Sequence, residues 1–110
     1  MIPIRSLSEL ETAPHANVFP EHEPKTIRLE LEAGEEVPSH THPDREIVLY
    51  VVAGRLELCL GDDSYELNAD EIARFDGDRE ISPRAIEDST ALIVLAKRAN
   101  DEQGKSPIKE

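Results

Sequence analysis

The sequence contains few sulfur-bearing or aromatic side chains. Its 110 residues include one cysteine, two tyrosines, two phenylalanines and no tryptophan. The single cysteine, Cys59, excludes an internal disulfide and a paired-cysteine zinc site. We expect a structural thiol there, because reactive thiols usually need cationic neighbours or the start of a helix. The shortage of aromatic rings disfavours a pocket that binds sugars or nucleobases by stacking.

Long apolar runs are also missing. No stretch approaches the roughly 20 apolar residues that a membrane helix needs. Residues 1–5 lack the basic start and long apolar segment of a secretory signal. A chain of 110 residues is long enough for one domain and too short for two. We therefore expect a single soluble domain that resides in the cytoplasm.

Basic residues are half as frequent as acidic ones. Twelve basic residues against 24 acidic residues give a net charge of -12. We expect neither nucleic acid nor a membrane surface as a partner, because both are bound first through basic patches. Only four of the basic residues are lysines, and this composition resembles cytosolic proteins of salt-accumulating microbes. An ordinary acidic protein is the alternative interpretation.

The sequence does contain a series of short strand patterns. Residues 25–32 alternate strictly, with Ile27, Leu29 and Leu31 on one face, as in a half-buried strand. Further short strands are predicted at 47–53, 56–60, 65–67, 71–75, 84–87 and 91–96, with turn residues between them. Many short strands without helical periodicity predict an all-β fold, a small antiparallel β-barrel or jelly roll.

The two ends of the chain are less regular. Residues 1–24 contain four prolines and are predicted to form an extended N-terminal arm, residues 25–97 the barrel, and residues 98–110 a flexible C-terminal tail. The apolar residues of the arm have little local structure in which to be buried. Small barrels often lend such a strand to a twofold partner, so we expect a homodimer.

The residues most typical of a function lie between two glycines. Five residues separate Gly34 from the segment His40-Thr41-His42, and Glu46 and Gly54 follow. This spacing resembles the first motif of the cupin superfamily, which has a glycine, an H-x-H pair, a glutamate and a second glycine in this order. The resemblance covers about residues 25–96 and implies the double-stranded β-helix of that superfamily.

The histidine pair is typical of a metal site. On a strand, residues i and i+2 point to the same face roughly 7 Å apart, so both imidazoles can converge on one cation. Two histidines and a carboxylate suit first-row transition metals. The resemblance implies that His40, His42 and Glu46 hold one divalent metal ion, which would be Fe, Mn, Ni or Zn.

The position of the carboxylate is ambiguous. Counting forward from His42 places the family's glutamate at Glu46, whereas counting back from Gly54 places it at Ile47. A β-bulge between Glu46 and Gly54 would absorb the extra residue, and bulges are common near the sites of barrels. We therefore favour Glu46 pointing into the barrel. The alternative is that Ile47 points inward and Glu46 faces water.

The second cupin motif is poorly matched. The family's glycine, proline, glycine, histidine and asparagine correspond here to Asp70, Asp76, Asp78, Ile81 and Ala85. Because Ile81 cannot bind a metal, the fourth ligand is missing. His15 and His22 of the arm are candidate replacements, although histidines in such polar surroundings are more often solvated.

Two functions follow from these residues. The first is a metal-dependent cupin enzyme, dioxygenase-like or isomerase-like, that acts on a small organic molecule at open metal positions. The second is a metal-free cupin that binds or senses a small molecule without catalysis. No general acid or base is evident beyond the metal ligands, and Tyr50, within an apolar run, is expected in the core. The sequence leaves both functions open.

Overall fold

Strands are the main regular secondary structure of the chain. The computed structural model describes residues 2–98, so most of the predicted C-terminal tail, residues 98–110, lies outside the described part. A single 3-10 turn at Leu7–Glu9 precedes strands β1 His15–Asn17, β2 Lys25–Leu31, β3 Arg45–Ala53, β4 Arg55–Leu60, β5 Asp63–Asn68, β6 Ile72–Asp76, β7 Ile81–Ala85 and β8 Ser89–Lys97. Within residues 2–98 no helix has the length and apolar character needed to cross a bilayer.

The strands form two antiparallel sheets. The larger sheet has the order β1-β2-β8-β3-β6, and the smaller sheet has the order β5-β4-β7. Their apolar faces pack together around one core, whose larger buried members are Leu29, Leu31, Ile47, Leu49, Val51, Leu56, Leu58, Leu60, Phe75, Ile81, Ile93 and Leu95. The predicted all-β fold, a small antiparallel sandwich or barrel, is confirmed.

Strand β3 lies between β8 and β6 in the larger sheet, and its residues alternate between buried and outward positions. Ile47, Leu49 and Val51 are fully buried, while the residues between them lie on the outer face. Burying each such side chain stabilises the fold by about 1.5–3 kcal/mol. A register slip of one residue would turn all three to the outer face, so their burial fixes the register of β3.

The N-terminal arm contains a strand that the sequence analysis did not predict. His15–Asn17 pair with β2 and form one edge of the larger sheet. Arg28, which is 3% exposed on β2, donates hydrogen bonds to the backbone oxygens of Leu7 and Thr12, both at 2.9 Å. Because a buried guanidinium needs such partners, Arg28 fixes the arm against the outer face of its own sheet.

Two glycines with the same backbone conformation provide a test of the packing. Gly34 and Gly54 both have φ +89°, but a Cβ on Gly54 would lie 2.3 Å from the backbone oxygen of Asp88, whereas one on Gly34 would meet nothing within 4 Å.

We expect Gly34→Ala to lower the free energy of unfolding by about 1–2 kcal/mol, because alanine is strained in a left-handed backbone conformation. Gly54→Ala should cost roughly 2 kcal/mol more, because Asp88 and Ser89 must move. Urea unfolding of both variants measures this difference, and equal losses would contradict the described packing around Gly54.

Candidate functional site

The histidine segment is held to the smaller sheet by backbone hydrogen bonds. His40 and Ile81 exchange both of their N–H···O bonds, at 3.1 and 2.8 Å. Glu36 lies opposite Arg84 in the same antiparallel pairing, and its neighbour Val37 donates to the oxygen of Pro83 at 2.9 Å. Residues 36–40 therefore extend the smaller sheet beyond β7. This pairing places His40 beside the strand that would carry the second cupin motif.

The two imidazoles lie in contact with each other. Their ring centroids are 4.7 Å apart and the rings are nearly perpendicular, at 88°. Nδ1 of His40 lies 2.8 Å from the carbonyl oxygen of Pro38. Because a carbonyl only accepts hydrogen bonds, Nδ1 carries the proton, and the lone pair of the neutral ring is on Nε2. The ring of His40 is thus oriented by its own backbone.

A small cavity adjoins the pair inside the barrel. Its volume is about 40 Å³, enough for an ion or a water molecule but far below the volume of organic-ligand pockets. Three histidines line it: His15, His40 and His42. The rest of the lining is aliphatic and consists of Ile27, Ile47, Ile81, Pro83, Ile93 and Leu95.

His15 reaches this cavity from strand β1. It is the cross-strand partner of Leu29, a core residue, so its side chain is on the inner face of the sheet. The sequence predicts a solvated histidine here, and His15 is indeed exposed, but it also lines the cavity. Strand β1 was not predicted, because three residues among prolines carry too little pattern. His22, the other arm histidine, is exposed and does not line the cavity.

Burial and mutual repulsion disfavour protonation of two of these rings. The pKa of His42 is lowered from its ordinary value, first by burial and then by repulsion from His40, Lys25, Arg45 and His15. The pKa of His15 is lowered by burial and by repulsion from His40. Both rings are therefore biased towards the neutral form, which is the form that binds metal ions.

Glu46 lies on the other side of the sheet. Its neighbour Ile47 is fully buried and lines the cavity, so Glu46 faces outward, where it forms an ion pair with Arg74 of β6. The prediction that Glu46 points into the barrel is wrong. A register shift does occur between Val51 and Ala53, but a bulge changes the alternation only beyond itself and cannot invert Glu46.

The positions of two further cupin ligands are therefore occupied by isoleucines. Ile47 stands where the count back from Gly54 places the glutamate, and Ile81 stands where the second motif has histidine. Both are buried, and both line the cavity beside the histidine pair. Neither side chain can coordinate a metal ion.

Tyr50 was expected in the core, but it lies outside it. It is half-buried on the outer face of β3, and its hydroxyl donates a 2.8 Å hydrogen bond to Oδ1 of Asp70. The alternation that turns Glu46 outward also turns Tyr50 outward. This phenol is on the face opposite the histidines and cannot act in their cavity.

Gly77 supports the histidine segment, a role that the sequence analysis did not identify. Its oxygen accepts the His42 N–H at 2.8 Å, and its N–H donates to the oxygen of Arg45 at 2.8 Å. A Cβ at this position would lie 2.4 Å from the oxygen of His42. Only a glycine allows this close approach of the two backbones.

The donors present match a metal site in part. Two imidazoles with one oriented ring are typical metal ligands. Within residues 2–98, however, no three histidine, cysteine, aspartate or glutamate side chains are grouped closely enough to hold an ion as they stand. The arrangement provides a two-nitrogen set, with His15 at the wall of the same cavity.

The family model of the cupin domain matches residues 27–96, most of the barrel. The chain belongs to the cupin domain family. No curated protein sequence matches this cupin significantly. The match begins within β2 and so leaves the arm and strand β1 outside the family's common domain.

Solved cupin structures resemble the fold at low sequence identity. KdgF from a Halomonas species superposes with a TM-score of 0.73 at 17% identity, over 93% of this chain and 99% of that one. The cupin domain of an XRE family transcriptional regulator from Enterobacter cloacae gives 0.70 at 20% identity, over 77% and 96% of the two chains. A predicted oxalate decarboxylase from Thermotoga maritima gives 0.68 at 18% identity, over 76% and 78%. At such identities the likeness shows the fold alone.

The lowered pKa values predict how stability depends on pH in the metal-free chain. Between the folded and unfolded pKa values of His42 and His15, the unfolded chain binds more protons, so the free energy of unfolding rises with pH. Their full contribution is present above the ordinary histidine pKa of 6.5 and is lost as the pH falls through the folded values. We expect His42→Gln to unfold with a weaker pH dependence below that value than the wild type.

Urea unfolding measures this effect. It is carried out in EDTA at a series of pH values below the ordinary histidine pKa and above the ordinary carboxylate pKa. His22→Gln is the matched control, because it removes an exposed imidazole outside the cavity. Parallel pH profiles for His42→Gln and His22→Gln would contradict the assigned burial of His42.

Proposed function

We propose that this cupin binds one divalent transition metal ion through His40 and His42. The observation that carries the proposal is the placement of the two rings. Imidazoles bound to one ion at about 2.1 Å, with angles of about 90 to 110° between them, have centroids roughly 4.5 to 5.3 Å apart. The observed 4.7 Å lies within that range. The ion would be Fe, Mn, Ni or Zn, all of which accept imidazole nitrogen.

His15 is the third ligand in this proposal, in place of Glu46. It lines the same cavity and is close enough for His40 and His42 to repel its protonated form. A small movement of the β1 edge strand towards the pair would complete a three-nitrogen set. Glu46 has no such route, since the buried core of β3 lies between it and the cavity.

The ligand of the protein would be a small organic molecule bound at the mouth of the cavity. A bound ion would supply Lewis acidity and open coordination positions. The chain itself would orient the ion through His40 and exclude water on the inner side through Ile47 and Ile81. Within the described residues no carboxylate lines the cavity. A general acid or base other than the histidines is therefore missing from its walls. Binding is therefore better supported than a particular reaction.

A metal-free small-molecule cupin is the second candidate. It is favoured by the isoleucines at positions 47 and 81, which remove two of the four ligands that the family resemblance implies. In that case the neutral imidazoles would bind the ligand directly by hydrogen bonds. The metal titration below separates the two candidates.

Titration of the untagged protein with Zn(II), Ni(II) and Fe(II) tests the proposal. We expect calorimetry to give one ion per chain with a dissociation constant below about 1 mM, and no binding to the double variant His40→Ala, His42→Ala. His15→Ala should weaken binding by at least about tenfold, since even partners of metal ligands contribute that much.

Glu46→Gln is the matched control for the ligand assignment. It removes a charge that is close to His40 and His42 in sequence but lies on the outer face of the sheet. We therefore expect a metal affinity within about twofold of that of the wild type. If the wild type and the double histidine variant bind alike, or neither binds, the metal-free candidate is the better account. A large loss for Glu46→Gln with none for His15→Ala would contradict the three-histidine assignment.

We also propose that the chain forms a homodimer. The cytoplasmic location remains a prediction. The outer face of the larger sheet has exposed apolar side chains at Val52 and Ile72, 41% and 63% exposed, and Ile2 and Ile4 of the arm are 71% and 81% exposed. A second copy of the chain that covers these residues would remove them from water.

Light scattering measures the mass in solution. We expect about twice 12.3 kDa for the wild type and a shift to the monomer for Ile72→Lys, because a charge would enter the covered face. Asp62→Lys, in an exposed turn of the smaller sheet, is the control and should remain dimeric. A wild-type monomer at micromolar concentration would contradict the proposal.

A further inference from the structure

A second pocket opens in a part of the barrel that the histidines do not line. It lies between β4, β5 and β6, where the free edges of the two sheets approach each other. Its volume is about 330 Å³, within the range of pockets that bind small organic molecules. Its apolar walls are formed by Leu58, Leu60, Tyr65, Leu67, Ala73 and Phe75.

This pocket is separate from the histidine cavity. The two share no lining residue. Ile47 and Ile81, which line the histidine cavity, are the cross-strand partners of Phe75 and Leu60, which line the second pocket. The isoleucines at the two lost ligand positions thus lie in the apolar layer between the cavities. A ligand in the second pocket would not contact the histidines.

The charges at the pocket point to one class of ligand. Arg79 and Arg74 line it, but Arg74 alternates with the inward Phe75 and pairs with Glu46 on the outer face of the larger sheet. The guanidinium that can face a ligand in the pocket is therefore that of Arg79. No carboxylate lines the pocket within the described residues. By contrast, an open groove at β2 is lined by Glu30, Glu32, Glu35 and Asp88.

The guanidinium group of Arg79 keeps donors for a ligand. It uses Nη2 for its bonds to the oxygen of Leu60 and to Asp63. Within residues 2–98, its Nε and Nη1 have no hydrogen-bond partner in the protein. The side chain of Arg79 is 42% exposed, so a ligand can reach it. A guanidinium can bind a second carboxylate through such a free edge.

We propose that this pocket binds a small organic monocarboxylate with an apolar body, such as a medium-chain fatty acid. The apolar body would lie against Leu58, Leu67 and Phe75, and the carboxylate would contact the free edge of Arg79. The proposal does not depend on metal binding, since no histidine contributes to the pocket.

Octanoate and 1-octanol are the probes that test this proposal. Binding is followed by NMR chemical shifts of the isotope-labelled full chain, in EDTA and at physiological salt, so that long-range repulsion by the acidic chain is screened. We expect octanoate to bind about tenfold more tightly than octanol, with the largest shifts at Leu67 and Ala73. The variant Arg79→Gln should lose about tenfold in octanoate affinity and nothing in octanol affinity.

Two further variants keep the test decisive. Arg84→Gln is the matched control, because Arg84 is 44% exposed and ion-paired to Glu57 but lies outside the pocket; octanoate affinity should not change. Ala73→Leu partly fills the pocket and should weaken octanoate and octanol alike, by about tenfold each.

Several outcomes would overturn the proposal. These are equal affinity for octanoate and octanol, an unchanged octanoate affinity in Arg79→Gln, and shifts centred on the histidine cavity. Absence of octanoate binding up to about 10 mM would also do so. Shifts at Tyr65 and Leu67 that follow protein concentration instead of octanoate would assign the pocket to a second copy of the chain.

Discussion

The register of β3 is the constraint on which the rest of the structure depends. Ile47, Leu49 and Val51 are fully buried at the centre of the core, and moving the strand by one residue would expose all three. At about 1.5–3 kcal/mol for each side chain, that loss is comparable to the whole stability of a small domain. Glu46 could turn inward without this loss only if a bulge lay between Glu46 and Ile47.

This register also determines the composition of the site. With Ile47 inside, the place of the family's glutamate is apolar, and the pairing of His40 with Ile81 brings a second isoleucine beside it. The barrel therefore has histidines on one side only. The polar side chains at the cavity are those of His40 and His42 and, from the edge strand β1, that of His15. The apolar layer behind them separates this cavity from the pocket at β4, β5 and β6.

Much of this could be predicted from the sequence, because alternation is a local signal. The strict pattern of residues 25–32 and the leucines of β4 predicted strands that the structure contains. The inner face of β3 was harder, since Ile47 to Ala53 is apolar throughout and has no alternation of its own. A bulge was expected and a register shift does occur, but after Val51, too late in the strand to turn Glu46 inward.

The contribution of the arm could not be predicted in the same way. β1 has three residues, and its position depends on the buried Arg28, which binds backbone oxygens of residues 7 and 12 from a distant strand. Backbone oxygens have no sequence signature, so neither this contact nor the inward direction of His15 is visible in the residue order. The same holds for Gly77, whose role depends on the backbone of residues 42 and 45 lying against it.

The central claim is that two histidines on the rim of an otherwise apolar barrel hold a metal ion. Anomalous diffraction from crystals soaked in zinc, recorded on both sides of the zinc edge, tests it most directly. The account predicts one peak at about 2.0–2.1 Å from a ring nitrogen of both His40 and His42. No peak at this position under saturating zinc, or a peak bound by Glu46 on the outer face, would contradict it.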